Sequence, residues 1–124
     1  MSAKQIEAYT AVQKMNMSGR EIEASALTRT AMILEECRDN WDAPGQEQIL
    51  SAALRRNQVL WSIFQAELTD PDNPLPKELK ENILSLSLFI DKRTLEIMAF
   101  PSPEKLSAII NINLNLAAGL RGEP

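Results

Sequence analysis

Residues 57–76, NQVLWSIFQAELTDPDNPLP, join an apolar helical stripe to a proline-rich connector. Large apolar side chains recur at the three- and four-residue spacing of an α-helix. They are Leu60, Trp61, Phe64 and Leu68. The prolines at 71, 74 and 76 then end the helix, because proline lacks the N–H that a helix interior requires. The stretch predicts one helix over about 46–68 and another over about 76–99, with Pro76 at its first position.

The flanking segments predict three further helices. An apolar residue at every third position indicates a short helix over about 3–15. Ser18 followed by Glu21 is a capping-box pattern, which predicts that a second helix begins there and runs to about Asn40. Ser102 as N-cap with Pro103 at the first helical position predicts the start of the last helix. We therefore expect an all-α single domain over 1–124, a compact bundle of about five helices with short proline-containing connections.

Residues 110–116, ININLNL, alternate apolar and polar side chains, which by itself is typical of a strand. The same segment also carries apolar residues at helical spacing, and it follows a strong helix-start signal. A single strand would find no partner elsewhere in this sequence. We therefore predict a helix here, with Asn113 on its apolar face.

The composition excludes several classes of function. Histidine is absent and cysteine occurs once, as Cys37, so no Ser-His-Asp triad, histidine zinc site or internal disulfide can form. Thirteen Lys and Arg against seventeen Asp and Glu give a net charge of −4, which does not favour nucleic acid as the main ligand. No apolar run reaches the length of a membrane span, and no secretory signal is visible. We expect a cytoplasmic protein without catalytic residues, metal or cofactor.

Two groups of residues carry alternatives that the sequence leaves open. Trp61 and Phe64 are explained either by core packing or by a groove that binds a partner helix. Asn113 is either satisfied inside the bundle or hydrogen-bonded to a ligand. The basic pairs Arg55-Arg56 and Lys92-Arg93 are explained either by pairing with carboxylates of adjacent helices or by contact with RNA or an acidic partner.

Several motifs together resemble the flagellar biosynthesis regulator FlaF family. The Trp-x-x-Phe-x-x-Glu-Leu run at 61–68, joined to the Asp-x-x-Asn-Pro-Leu-Pro connector at 70–76, is its most distinctive feature. The apolar run at 84–91 and the closing Ser-Pro-Glu-Lys-Leu at 102–106 also fit. The resemblance extends over nearly the whole chain.

The resemblance implies a non-enzymatic protein of alphaproteobacterial flagellar assembly. It implies that the chain binds newly made flagellin as a secretion chaperone and couples flagellin synthesis to export, working with a second regulator, FlbT. The termini of flagellin are amphipathic helices that are disordered before assembly, so a chaperone would have to mask such a helix. The alternative is a post-transcriptional regulator or FlbT adaptor acting on flagellin messenger RNA.

The predicted partner-binding residues follow from combining this resemblance with the helical stripes. Trp61 and Phe64 are expected as anchors and Asn113 as a polar contact. Leu86, Phe89 and Ile112 are expected to form the wall of the groove. Direct RNA binding would instead use Arg55, Arg56, Lys92 and Arg93. The apolar surface that one small core leaves over is also compatible with a homodimer.

Overall fold

Within residues 3–122, a computed structural model of the protein contains four α-helices and one short 3-10 turn. The structure describes the backbone of residues 3–122 and the side chains of residues 19–122. The elements are α1 (Ala3–Asp39), α2 (Gln46–Thr69), α3 (Lys77–Ala99), a 3-10 turn (Pro103–Lys105) and α4 (Leu106–Leu120). No strand occurs within the described backbone. The all-α prediction is confirmed, and so is the helix predicted for residues 110–116.

The predicted count of about five helices is one too high, because the first two are a single helix. Ser18 and Gly19 both lie inside α1, so the backbone does not leave the helix at the expected cap. No proline occurs before Pro44, and one internal glycine costs only about 1 kcal/mol relative to alanine. The apolar stripe predicted for residues 3–15 and the Ser18 hydroxyl lie outside the described side chains.

The connections are short and are held by local hydrogen bonds. Gly45 adopts φ 79° immediately before α2, a conformation that side chains with a Cβ disfavour. In the next connector, Asp70 Oδ1 accepts from the amide of Asp72 at 2.9 Å, and Asn73 Oδ1 accepts from Leu75 at 3.0 Å. These Asx turns explain the acidic connector without a bound cation.

α1 forms the base of the bundle. It packs most extensively against α4 and also against α2, while α2 packs against α3 and α3 touches α4. Arg38 of α1 donates to Ser107 of α4 at 3.3 Å, and Gln65 of α2 donates to Ser87 and Asp91 of α3. The α2 and α3 bounds lie within one residue of those predicted, because glycine and proline mark both ends.

The core lies where these four helices meet. Its spacing is clearest on α3, where Ile83, Ser87, Ile90, Thr94 and Ile97 follow a repeating four–three pattern and are all buried. The large fully buried apolar side chains of the other helices are Leu27, Leu34, Trp61, Leu106, Ile109 and Ile110. One continuous cluster therefore joins all four helices.

Candidate functional site

The two predicted aromatic anchors lie in the core. Trp61 is fully buried and Phe64 is 5% exposed. Their ring centroids are 5.7 Å apart in an edge-to-face arrangement, which is a favoured geometry for aromatic pairs. The structure therefore supports core packing for both side chains and places neither on an open surface.

Asn113 is also inside the bundle, where it connects two helices. Its Oδ1 accepts from the indole Nε1 of Trp61 at 2.9 Å, and its Nδ2 donates to Oδ1 of Asn57 at 2.8 Å. All three residues are fully buried. Of the two explanations for Asn113, the structure supports internal satisfaction. The sequence analysis did not single out Asn57 as part of this hydrogen-bonded group. Its position one turn before Trp61, on the same face of α2, could have indicated that it is buried.

The predicted groove wall is divided between two helices and remains accessible. Leu86 and Phe89 are each 37% exposed on α3, and Ile112 is half-buried on α4 against the core. The guanidinium of Arg93 lies 5.1 Å from the ring centroid of Phe89, and its Nη1 donates to the Lys105 carbonyl at 3.4 Å. These residues form a surface, but they do not join the buried anchors in one open groove.

The basic residues likewise separate into different environments. Arg55 and Arg56 are exposed on α2, and Lys92 is exposed on α3. Arg93 is half-buried and forms an ion pair with Glu96 at 3.3 Å. Because Arg93 already has partners within the chain, the four side chains are not equivalent phosphate ligands.

A groove of about 720 Å³ opens beside the core, and we call it the α2–α3 groove. This volume is typical of clefts that bind ligands. The end of α1 with the turn after it, the first half of α2 and the end of α3 with the residues just after it line the groove. The lining residues are Cys37, Trp41, Asp42, Gln46, Glu47, Leu50, Ser51, Leu54, Arg55, Gln58, Ile97, Met98 and Pro101.

The apolar part of the groove continues the core to the surface. Leu54 and Ile97 are buried at its base, and Trp41 and Leu50 are half-buried beside them. Met98, in contrast, is 61% exposed at the edge. A partner's apolar side chains would therefore meet existing core residues on one side and a flexible methionine on the other.

Cys37 lies at the base of the α2–α3 groove and is 1% exposed. Burial raises the pKa of its thiol, and the neighbouring Glu36 carboxylate raises that pKa further. Because the thiolate is the reactive form, this environment keeps the cysteine unreactive. Cys37 is consequently a small apolar residue of the groove and not a nucleophile.

A carboxylate pair lies at the contact between α1 and α2. Partial burial of Glu23 raises its pKa to about 7, with further contributions from a hydrogen bond to Glu67 and from the charge of Glu67. Arg20 acts in the opposite direction and lowers this pKa. Glu23 therefore binds a proton at a pH where an ordinary glutamate has lost it.

No metal or membrane element is found within the part of the chain that the structure describes. No group of three or more His, Cys, Asp or Glu side chains there has an arrangement that could hold a metal ion. None of the helices described combines the length and the apolarity that crossing a membrane requires.

Comparison with known families agrees with the motifs around Trp61. The family model described as Flagellar protein FlaF matches residues 5–120. The chain belongs to the FlaF family. No curated protein and no solved structure matches it. Within this FlaF-family chain, the distinctive Trp and Phe of the 61–68 run are core residues, so the motif marks the fold.

The α2–α3 groove was not predicted from the sequence. Of the residues predicted to bind flagellin or RNA, only Arg55 lines it. The residues that line the groove come from three separate helices and the turns next to them. The sequence did not predict the groove because only tertiary packing brings these residues together. Trp41, immediately before the Pro44-Gly45 break, was the clearest available signal, because a large aromatic next to a turn often lies at the edge of a core.

Proposed function

We propose that this protein binds newly made flagellin in the cytoplasm as a secretion chaperone and couples flagellin synthesis to export. It would act by binding, without catalysis, and would mask an amphipathic helix of flagellin before assembly. Membership of the flagellar FlaF family supports the biological setting. The α2–α3 groove supports the binding mode.

The observation that carries the proposal is an apolar groove left open beside a closed core. Leu50 and Met98 present apolar surface there, above the buried Leu54. An amphipathic helix that places one apolar face in such a groove removes both surfaces from water. Ordering a disordered segment costs about 2–5 kcal/mol of the gross interaction energy, which favours a complex that can release the segment at export.

The alternative function, direct action on flagellin messenger RNA, has weaker support. Arg55, Arg56 and Lys92 are exposed, but Arg93 is held within the chain. The net charge of −4 also opposes attraction of phosphate groups. A role as an adaptor that binds FlbT fits the same family and the same groove. A pull-down of FlbT in the absence of flagellin distinguishes this role from flagellin binding.

Co-purification with flagellin tests the proposal. Full-length flagellin and flagellin without its C-terminal helix are compared, and we expect only the former to be retained. In the protein itself, Met98→Glu places a charge at the groove edge and should abolish retention. The matched control is Leu88→Glu, because Leu88 is 69% exposed on the same helix and lies outside the groove.

Undiminished binding of the truncated flagellin would contradict masking of the C-terminal helix. Equal loss for M98E and L88E would show that the groove is not the binding site. Both side chains are largely exposed, so neither substitution should unfold the core. A far-UV circular dichroism spectrum identical to wild type checks this for each variant.

A further inference from the structure

The two ends of the α2–α3 groove carry opposite charges. Asp42, in the turn before α2, and Glu47, in the first turn of α2, lie at one end. Arg55 lies two turns further along α2. The eight residues from Glu47 to Arg55 correspond to about 12 Å along the helix axis.

All three charged side chains are exposed and available to a ligand. None of them takes part in an ion pair among the side chains of residues 19–122. Between them, the α2 side of the groove presents Leu50, Leu54 and the small polar Ser51. The α2 side of the groove thus carries a carboxylate near the start of the helix, a mainly apolar middle, and a guanidinium about two turns further on.

This arrangement matches the charge distribution of an α-helix. A helix carries partial positive charge at its N-terminus, where amide N–H groups lack partners, and partial negative charge at its C-terminus. Carboxylates stabilise the first end and a guanidinium stabilises the second. The charges of the groove therefore favour one direction of a bound helix over the other.

We propose that the groove binds about two turns of an amphipathic flagellin helix in one orientation. The N-terminal end of that segment lies at Asp42 and Glu47, its C-terminal end lies at Arg55, and it runs parallel to α2. This inference rests on the proposed function and adds the direction and the charge requirements of the bound segment. A segment with acidic side chains in its last turn fits best, because Arg55 then pairs with a full charge.

Charge reversal tests the requirement at each end. The probe is a fluorescein-labelled peptide of the C-terminal helical segment of flagellin, titrated with the full-length protein. Arg55→Glu and Glu47→Lys should each weaken binding about threefold to tenfold at low salt, as expected for charges at helix ends. The matched controls are Arg56→Glu on α2 and Glu78→Lys in the first turn of α3, which do not line the groove.

A spin label tests the direction. A nitroxide at the N-terminus of the peptide should broaden the amide resonance of Gln46, and a nitroxide at its C-terminus should broaden that of Gln58. The opposite pattern, or equal broadening by both labels, overturns the orientation. Unchanged affinity in both R55E and E47K overturns the charge requirement.

These outcomes are distinct from failure of the proposed function. If the wild-type protein binds neither flagellin nor the peptide, the proposed function is wrong. If flagellin binds and M98E abolishes binding, but the label pattern is reversed, only the orientation is wrong. If M98E changes the oligomeric state by sedimentation and leaves flagellin binding intact, the groove is an interface between copies of this chain, and the inference is overturned.

Discussion

Trp61 on α2 donates its indole N–H to the side-chain oxygen of Asn113 on α4 across 2.9 Å, with both residues fully buried. The hydrogen bond joins two helices through residues that are 52 positions apart in the chain. A second hydrogen bond, from Asn113 to Asn57, extends the contact. This pair of residues therefore contributes to the stability of the bundle.

Substitution of Asn113 by alanine should lower the free energy of unfolding by about 2–4 kcal/mol. The change leaves the Trp61 N–H and the Asn57 oxygen buried without partners, and each such loss costs about 1–3 kcal/mol. Urea denaturation followed by tryptophan fluorescence measures the change. Asn115→Ala on the exposed face of α4 is the control and should change stability by less than about 0.5 kcal/mol. Equal effects of the two substitutions would contradict the role of the hydrogen bonds.

Glu23 should make the protein less stable as the pH rises. Its pKa is about 7 in the folded state and 4.5 as an isolated side chain, so the folded protein holds a proton that the unfolded chain has released between these values. The unfolding free energy therefore falls from about pH 4.5 to about pH 7 and is level above that. The partly exposed position limits the loss to about 1 kcal/mol.

The variant Glu23→Gln checks this assignment. It should remove that part of the pH dependence and stabilise the protein above pH 7, as measured by urea unfolding at pH 5 and pH 8. Glu21→Gln, at an exposed position on the same helix, serves as the control. A pH dependence that persists unchanged in E23Q would refute the role of Glu23.

The turn before α2 should require glycine. Gly45 has φ 79°, and alanine at this backbone conformation costs about 1–2 kcal/mol. Gly119→Ala on α4 is the comparison, because no atom lies within 4 Å of the added Cβ and the backbone is helical. We expect thermal unfolding to show a lower Tm for G45A and a Tm equal to or above wild type for G119A. A rise in Tm for G45A would contradict the left-handed conformation.

The continuity of α1 at residues 18–19 can be tested with two alanine substitutions. In a continuous helix, Ser18→Ala and Gly19→Ala each raise helix propensity and should stabilise the protein by up to about 1 kcal/mol. If Ser18 instead capped a second helix, its replacement would cost about 0.5–2 kcal/mol. Chemical denaturation of S18A decides between the two.

The sequence was sufficient to predict the bounds of the helices that proline and glycine delimit. α2 and α3 were predicted to within one residue because Gly45, Pro71 and Pro76 act locally. The Ser18–Glu21 pattern misled, because a capping box is compatible with a helix interior when the preceding residues are also helical. Glycine and proline therefore predict helix boundaries better than a capping pattern does.

The site was harder to predict, because burial depends on which helices meet. Periodicity placed Trp61 and Asn113 on apolar faces but could not show that these faces cover each other. The α2–α3 groove is lined by residues from the end of α1, from α2 and from the end of α3, and no pattern within one helix shows how these three segments are arranged. Only Arg55 of the predicted residues lines the groove.

The buried Asn57–Trp61–Asn113 contact also determines which packing of α4 is allowed. α4 carries many similar Ile and Leu side chains, and apolar contacts alone would tolerate a shift by one turn. Such a shift would separate Asn113 from both of its partners. It would leave the indole N–H of Trp61 and the side-chain oxygen of Asn57 buried without hydrogen bonds. The contact thus selects a single register for the last helix, and with it the way in which α4 packs against α1.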